Sequence, residues 1–266
     1  MSKNKNRNKT GAPSFTEYPP FFARFYDLIY HQVRDDVDTA FYLNRIISSG
    51  GRVMEVGTGT GRLFIKALEE GADIYGIDLS PAMLDILKAK LSSENKGRVS
   101  YGNITDFITD EKFDLIVAPF RVMMHLVTIE EQLKALNNVY DNLNPGGQFI
   151  FDLFIPDLKL LISGMEDIRD FDTEFEPGNR VSRTVTSIAD LINQTLNVKF
   201  LIEWNEGEEK FSGEWHSLMR YFFRFELEHL LERSPFELFS IDGDFSGSSL
   251  SSNSREFIVT CTKKTS

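Results

Sequence analysis

Three short segments of this chain carry residues whose types and spacing suit ligand chemistry. The first is Val53-Met54-Glu55-Val56-Gly57-Thr58-Gly59-Thr60-Gly61-Arg62. Glycines so placed let the backbone turn tightly out of a strand and approach a ligand, while the helix that follows offers its N-terminus. The spacing is GxGxG, not the GxGxxG of a pyrophosphate-binding turn, and an acid, Glu55, stands two residues before the first glycine. The second segment is Gly76-Ile77-Asp78, whose Asp78 would end a strand and accept hydrogen bonds from ribose hydroxyls. The third, Gly102-Asn103-Ile104-Thr105-Asp106-Phe107, sets polar side chains on the same sheet edge. Together they describe a nucleoside pocket without a phosphate cradle. Each has a plainer reading: the glycines as strand–helix packing, and Asp78 as the start of an Asp-Leu-Ser turn.

The elements that position these segments are short apolar runs alternating with amphipathic stretches. Arg52–Val56, Ala72–Ile77, Val99–Tyr101, Phe113–Ala118 and Gln148–Leu153 read as strands. Leu63–Leu68, Pro81–Leu91 with Ser80 as its cap, and Ile129–Leu143 read as the helices between them, the last closed by an Asn144-Pro145-Gly146-Gly147 turn. Strand–helix alternation of this kind predicts an α/β fold, a doubly wound parallel sheet. Before it lie an aromatic helix over about Glu17–His31 and a second helix over about Asp35–Ile47 that ends at Gly50-Gly51. After Pro156 the pattern changes. Three β-rich stretches between about Arg180 and Tyr221 predict a small antiparallel sheet inserted before a helix near Phe225–Glu232 and two closing strands, about Phe236–Ile241 and Glu256–Thr262.

With 41% hydrophobic residues, 23 of them Phe, the 266-residue chain can bury a sizeable core. Its length sits near the limit of one core, which favours one domain with an insertion. The expected division is a disordered basic arm over 1–15, with Lys3, Lys5, Arg7 and Lys9, then a domain over 16–266 in which 157–221 contains the β lid. The net charge of −11 speaks against a general binder of phosphate backbones, so a nucleic-acid partner is disfavoured. Cys261, the single cysteine, supplies neither an internal disulfide nor a thiolate cluster, and the four His lack metal-ligand spacing, so no metal is expected. There is no secretory signal or apolar span, and the cytoplasm is the expected compartment.

The combination resembles the class I S-adenosylmethionine-dependent methyltransferases from roughly Tyr18 to the C-terminus. It rests on Tyr26-Asp27-Leu28-Ile29-Tyr30, the glycine loop, Ile77-Asp78-Leu79-Ser80, Phe113-Asp114-Leu115-Ile116 and Leu143-Asn144-Pro145-Gly146-Gly147. The resemblance implies a Rossmann-like seven-stranded sheet and S-adenosyl-L-methionine as cofactor. It also implies a cofactor set of Glu55, Gly57, Thr58, Gly59, Gly61, Asp78, Leu79, Met83, Asn103, Ile104 and Pro119. In that set Glu55, Gly57 and Gly59 face the methionine and ribose portions, Asp78 binds the ribose diol, and Leu79 and Met83 flank the adenine. Asn103 stands where the family often has Asp; its amide oxygen can accept from the adenine amine.

Methyl transfer is an in-line displacement, for which the enzyme mainly supplies positioning and, where needed, a base. The acceptor pocket is expected beside the fourth strand, walled by the aromatic helix and roofed by the insertion. Its candidate residues are Tyr26 and Tyr30, then Pro119, Phe120, Arg121, Met124 and His125 on the loop after the fourth strand, and Trp215, His216 and Arg220 on the insertion, with Trp204 and Tyr221. His125 and Tyr26 are the expected catalytic residues, His125 as a base of near-neutral pKa or as a group that orients the acceptor; its plainer reading is a cap on the helix near Thr128. Strand alternation sets His216 and Arg220 opposite Trp215 and Met219, and only one set can line the pocket. The insertion followed by Arg220-Tyr221, Phe225-Glu226-Leu227-Glu228 and Gly243-Asp244-Phe245 is similar to amino-sugar N,N-dimethyltransferases. That implies a small-molecule acceptor, with N-methylation ahead of O-methylation. The rival readings are a tRNA, rRNA or protein methyltransferase, an NAD-dependent oxidoreductase, and a non-catalytic nucleoside-binding module. Apolar patches on the aromatic helix and the insertion would let two copies pair as a homodimer.

Overall fold

The computed structural model describes residues 17–33 and 36–265; the expected basic arm over 1–15 lies outside the described residues. Helices α1 (Pro20–Val33) and α2 (Val37–Ser49) precede β1 (Val53–Val56), α3 (Phe64–Glu69), β2 (Ile74–Asp78), α4 (Pro81–Lys90), β3 (Val99–Tyr101), β4 (Phe113–Ala118), α5 (Ile129–Asn142) and β5 (Leu143–Phe154). There follow α6 (Leu158–Ser163), β6 (Met165–Glu176), β7 (Asn179–Asp190), β8 (Thr195–Glu206), β9 (Glu209–Arg220), α7 (Arg224–Glu232), β10 (Leu238–Asp242) and β11 (Glu256–Thr262). The turn chemistry sets these bounds. Gly50, in the left-handed region at φ 59°, closes α2, while Ser80 accepts the Met83 N–H to open α4. Thr128 and Glu131 form a capping box at the start of α5.

One sheet has seven strands in the order β10-β11-β5-β4-β1-β2-β3. β3, β2, β1, β4 and β5 run parallel, and β11 and β10 complete the edge antiparallel. Strand order reverses at β1, so a crevice opens beyond the C-terminal ends of β1, β2 and β4. All four residues of β1 are buried, Glu55 included. The second sheet, β6-β7-β8-β9, is wholly antiparallel and lies against α1. Phe22 meets Phe200 at 5.3 Å and Trp215 at 4.8 Å, and Phe25 meets Phe175 at 5.2 Å and Trp204 at 5.6 Å between ring centres. Each such buried ring is worth about 1.5–3 kcal/mol, so α1 is a structural wall as well as a surface helix. Gly213 is required by this contact: a Cβ there would lie 2.7 Å from the Phe21 ring.

The sequence pattern needs correction at three places. The insertion has four strands, not three, because β6 pairs with β7 over nearly its whole length. Its sequence, Met165-Glu166-Asp167-Ile168-Arg169-Asp170-Phe171-Asp172-Thr173-Glu174-Phe175-Glu176, is dominated by acids that weaken a strand signal, yet Phe171 alternates inward. The Asn144–Gly147 segment does not stand outside the fifth strand but is an irregularity within β5, where the register with β4 shifts between Phe113 and Leu115. The short helix α6 was also absent from the pattern.

Candidate active site

The glycine loop leaves β1 under tight local control. Gly57 and Thr58 both donate to the Ile77 carbonyl, at 2.8 and 3.1 Å, and Gly59 donates to Asp78 Oδ2 at 2.8 Å. Asp78 Oδ1 accepts the Ser80 N–H at 2.7 Å. Asp78 therefore begins the Asp-Leu-Ser turn and also ties the loop to β2, and its carboxylate keeps further lone pairs for a ligand. Burial raises the Asp78 pKa, against backbone N–H groups of Ser80, Gly59 and Leu79 that lower it. Gly57 is obligatory, since at φ 75° an added Cβ would sit 2.5 Å from Val122 Cγ2. The loop is also braced from α1: Asp27 accepts from Thr60 Oγ1 and from Lys90 Nζ, the latter at 2.6 Å. Arg62 in turn clamps Asp38, buried on α2, at 2.7 and 3.0 Å.

A cavity of about 590 Å³ opens at the C-terminal strand ends. Its wall includes Tyr26, Gly57, Gly59, Asp78, Leu79, Met83, Asn103, Ile104, Pro119 and His125. Three expected cofactor residues are not on that wall. Gly61 (φ 93°) serves packing, since an added Cβ would lie 2.3 Å from Leu87 Cδ1. Thr58 packs inward against Gly76, its hydroxyl buried without a partner among the described residues. Glu55 lies behind the loop with Oε2 buried and unbonded among the described residues. Burial pushes its carboxyl well above the ordinary range; Arg62 opposes this and Asp78 adds to it. Asn103 already accepts the Thr105 N–H at 3.0 Å, which leaves its amide oxygen one acceptor site.

A second cavity of about 560 Å³ adjoins the first and shares Tyr18, Phe120 and His125 with it. Tyr30, Arg121, Trp215, Ser217 and Met219 line it. Alternation along β9 therefore resolves in favour of the Trp215 set. His216 and Arg220, expected at the acceptor, point to the other face: His216 meets Glu214 at 2.8 Å, while Arg220 is held by Glu226 and by the Asn193 carbonyl. Packing decides the face, since Tyr18 and Phe22 lie on the Trp215 ring at 4.4 and 4.8 Å. Met124 is also corrected: it is wholly buried in the core and lines neither cavity. Trp204 packs against Phe21 and Phe211, and Tyr221 is buried beside Phe223. Tyr18 and Ser217 line the second cavity although they were not in the expected site, whereas Phe120, at the junction, was among the candidates after the fourth strand. Tyr18 carried no periodic signal ahead of Pro19-Pro20, but Ser217 shares the Trp215 face by alternation.

His125 does not cap α5, because Thr128 and Glu131 fill that role. Its Nδ1 is buried without a hydrogen-bond partner among the described residues, and burial lowers its pKa to about 4. The near-neutral pKa expected from its residue type is thus corrected: burial favours the neutral ring at physiological pH. Burial, with Tyr18 and Tyr30 adding to it, raises the Tyr26 pKa well above its usual value, so Tyr26 stays a neutral phenol. The turn after β4 is strained, with Phe120 and Arg121 both left-handed at φ 60° and 67°. Such residues cost of order 1–3 kcal/mol each and persist only where their surroundings hold them.

Family comparison agrees with this geometry. A methyltransferase domain matches residues 53–147, from β1 into β5. Residues 53–147 thus carry a methyltransferase domain, and the chain is an S-adenosylmethionine-dependent methyltransferase. A Bacillus subtilis (strain 168) protein classed among the methyltransferases, YqeM, is 26% identical over 91% of this chain and 96% of its own length. The cypemycin N-terminal methyltransferase of a Streptomyces species is 26% identical over 79% of this chain and 82% of its own. The solved sugar N-methyltransferase of Streptoalloteichus sp ATCC 53650 superposes with a TM-score of 0.75 at 17% identity and covers 99% of both chains, which shows that this methyltransferase shares its fold. Among the described residues no helix is long and apolar enough to cross a membrane, and no cluster of His, Cys, Asp and Glu has the arrangement to hold a metal ion.

Proposed function

We propose that this methyltransferase transfers a methyl group to the nitrogen of a small-molecule amine bound in the second cavity. The observation that carries the reading is the junction of two cavities, about 590 and 560 Å³, at Tyr18, Phe120 and His125. Both volumes fall in the range of small-ligand sites, and the second sheet roofs the outer one, which favours a compact acceptor over a folded macromolecule. In this reading residues 17–265 form one domain, with the sheet of β6–β9 as its lid.

The first cavity fits the cofactor. Asp78, at the end of β2, keeps acceptor sites beyond its two backbone bonds and would take the ribose hydroxyls. Leu79 and Met83 offer apolar walls to the adenine, and Asn103 and Ile104 its polar edge. Gly57 leaves the backbone open where a side chain would meet Val122. When bound, S-adenosylmethionine supplies a methyl group already activated by its sulfonium.

The protein's own part is to orient the nucleophile. His125, neutral because of burial, accepts a hydrogen bond from the acceptor and steers its lone pair toward the cofactor cavity. Tyr26 and Tyr30, one helical turn apart on α1, face the cofactor and acceptor cavities respectively. A conjugate acid near 4 makes His125 a weak proton acceptor, which favours an amine, whose free base attacks without prior deprotonation, over an alcohol. The N-methylating relatives named above and the net charge of −11, which favours a neutral or cationic acceptor, support the same choice. The test is a panel of small primary and secondary amines, alcohols and carboxylates incubated with S-adenosylmethionine, with S-adenosylhomocysteine quantified. Turnover of amines is expected. Turnover confined to alcohols or anionic acceptors overturns the reading.

A further inference from the structure

The β4–β5 ladder ends at Ala118 and Phe151. The next residue on β4 is Pro119, which has no N–H to continue the ladder, so the chain leaves the sheet there. It then passes through the two left-handed residues Phe120 and Arg121, a conformation that neither side chain favours. The β5 residue after Phe151 is Asp152, wholly buried, whose Oδ1 accepts the Phe120 N–H at 2.8 Å and the Tyr42 hydroxyl of α2 at 2.7 Å. At the other end of the turn Arg121 donates to Glu256 of β11 at 3.0 Å. A buried carboxylate is costly to desolvate, and an apolar residue would serve packing better; what Asp152 provides is an acceptor for an N–H that the sheet has released. The consequence is the placement of one ring. Phe120 faces both cavities, edge-on to Tyr30 at 5.2 Å and with the Arg62 guanidinium 5.3 Å from its centre.

We propose that Asp152 is a positioning residue for methyl transfer: it holds the Phe120 backbone in the left-handed turn, so that the Phe120 ring fixes the passage between cofactor and acceptor. This rests on the assignment of the two cavities to those ligands. Asp152 touches neither ligand; it acts through Phe120.

The test places 4-fluorophenylalanine at position 120 and follows its fluorine resonance with and without S-adenosylhomocysteine, in the wild type and in Asp152→Ala, Asp152→Asn and Tyr42→Phe. A single resonance that shifts with S-adenosylhomocysteine is expected for the wild type. In Asp152→Ala a second or broadened resonance is expected, with kcat on the best amine of the panel down about a hundredfold, as an ångström-scale misplacement produces. Its affinity for S-adenosylhomocysteine should change less than about threefold, since Asp152 lines neither cavity. Asp152→Asn keeps a carbonyl acceptor and should restore both the single resonance and most of kcat. Tyr42→Phe, which leaves the Phe120 bond in place, should keep the single resonance. If Asp152→Ala does not fold, Asp152→Ser, whose hydroxyl is too short to span the gap, replaces it. An unchanged resonance and kcat in the folded variant, with only thermal stability lowered, overturns the proposal. A wild-type resonance that ignores S-adenosylhomocysteine, although that ligand binds, refutes the cavity assignment instead.

Discussion

Asp78→Ala is the sharpest test of the cofactor site, and its size can be worked from the bonds at that carboxylate. A hydrogen bond to a charged group is worth about 1.5–3 kcal/mol, so two ribose hydroxyls on Asp78 amount to about 3–6 kcal/mol. At about 1.4 kcal/mol per tenfold, affinity for S-adenosylhomocysteine should fall by about 10²–10⁴. Asp78→Asn keeps one neutral acceptor oxygen, worth about 0.5–1.5 kcal/mol to a hydroxyl, and should lose less, about 10²–10³-fold. The carboxylate also holds the Gly59 and Ser80 N–H groups at 2.8 and 2.7 Å, so the Ala change loosens the loop as well. Titration calorimetry with S-adenosylhomocysteine and its 2′,3′-dideoxy analogue separates the two effects. If Asp78 grips the diol, the wild type discriminates strongly between the ligands and the Ala variant hardly at all. Near-normal affinity in Asp78→Ala, or undiminished discrimination, refutes the assignment.

Three further outcomes are expected. His125→Asn should lower kcat while leaving S-adenosylhomocysteine affinity intact; because burial lowers the His125 pKa to about 4, the wild-type rate should show no inflection near 6.5 between pH 6 and 9. Trp215→Ala should raise the acceptor KM by about tenfold or more, the loss of a large aromatic wall, whereas His216→Ala on the opposite face should change neither kcat nor KM beyond about twofold. Glu55 binds its proton more tightly in the folded than in the unfolded chain, so stability tied to it is complete below the unfolded pKa and lost as pH rises through the raised folded value. Glu55→Gln should therefore raise the melting temperature at pH 8 relative to the wild type, with the gap closing toward pH 4; a gap of constant size contradicts that account.

The parts of this molecule written in local spacing were legible from the sequence. The glycine loop, Asp78, the Ser80 cap and the alternation of strands with helices each depend on residues a few positions apart, and the fold follows the expected sheet. What depended on distant packing was not legible. Period-two alternation divides β9 into two faces, but only Tyr18 and Phe22 pressing on Trp215 decide which face is inside. β6 hid behind its outward acids, because its partner strand rather than its own composition makes it a strand. Gly61 looked like a ligand contact by spacing, yet Leu87, from α4, is what needs its missing side chain. The left-handed turn at Phe120 had no signal at all, since neither Phe nor Arg advertises a positive φ and the acceptor that stabilises it lies 32 positions away in the chain.

The two sheets also divide the molecule's evolutionary freedom. Phe200, Trp215, Ser217 and Met219, all on β8 and β9, line only the outer cavity, whereas Gly57, Gly59, Asp78 and Met83 line only the inner one. With the outer cavity proposed as the acceptor site, substitutions on the inserted sheet should reshape acceptor preference and leave cofactor affinity alone. On the same proposal, the three residues common to both cavities, Tyr18, Phe120 and His125, form the narrow frontier where a change in substrate range should also carry a catalytic penalty. Diversification of such an enzyme should therefore accumulate in the insertion first, and a laboratory library confined to those four wall positions should yield altered acceptor ranges with cofactor affinity unaltered.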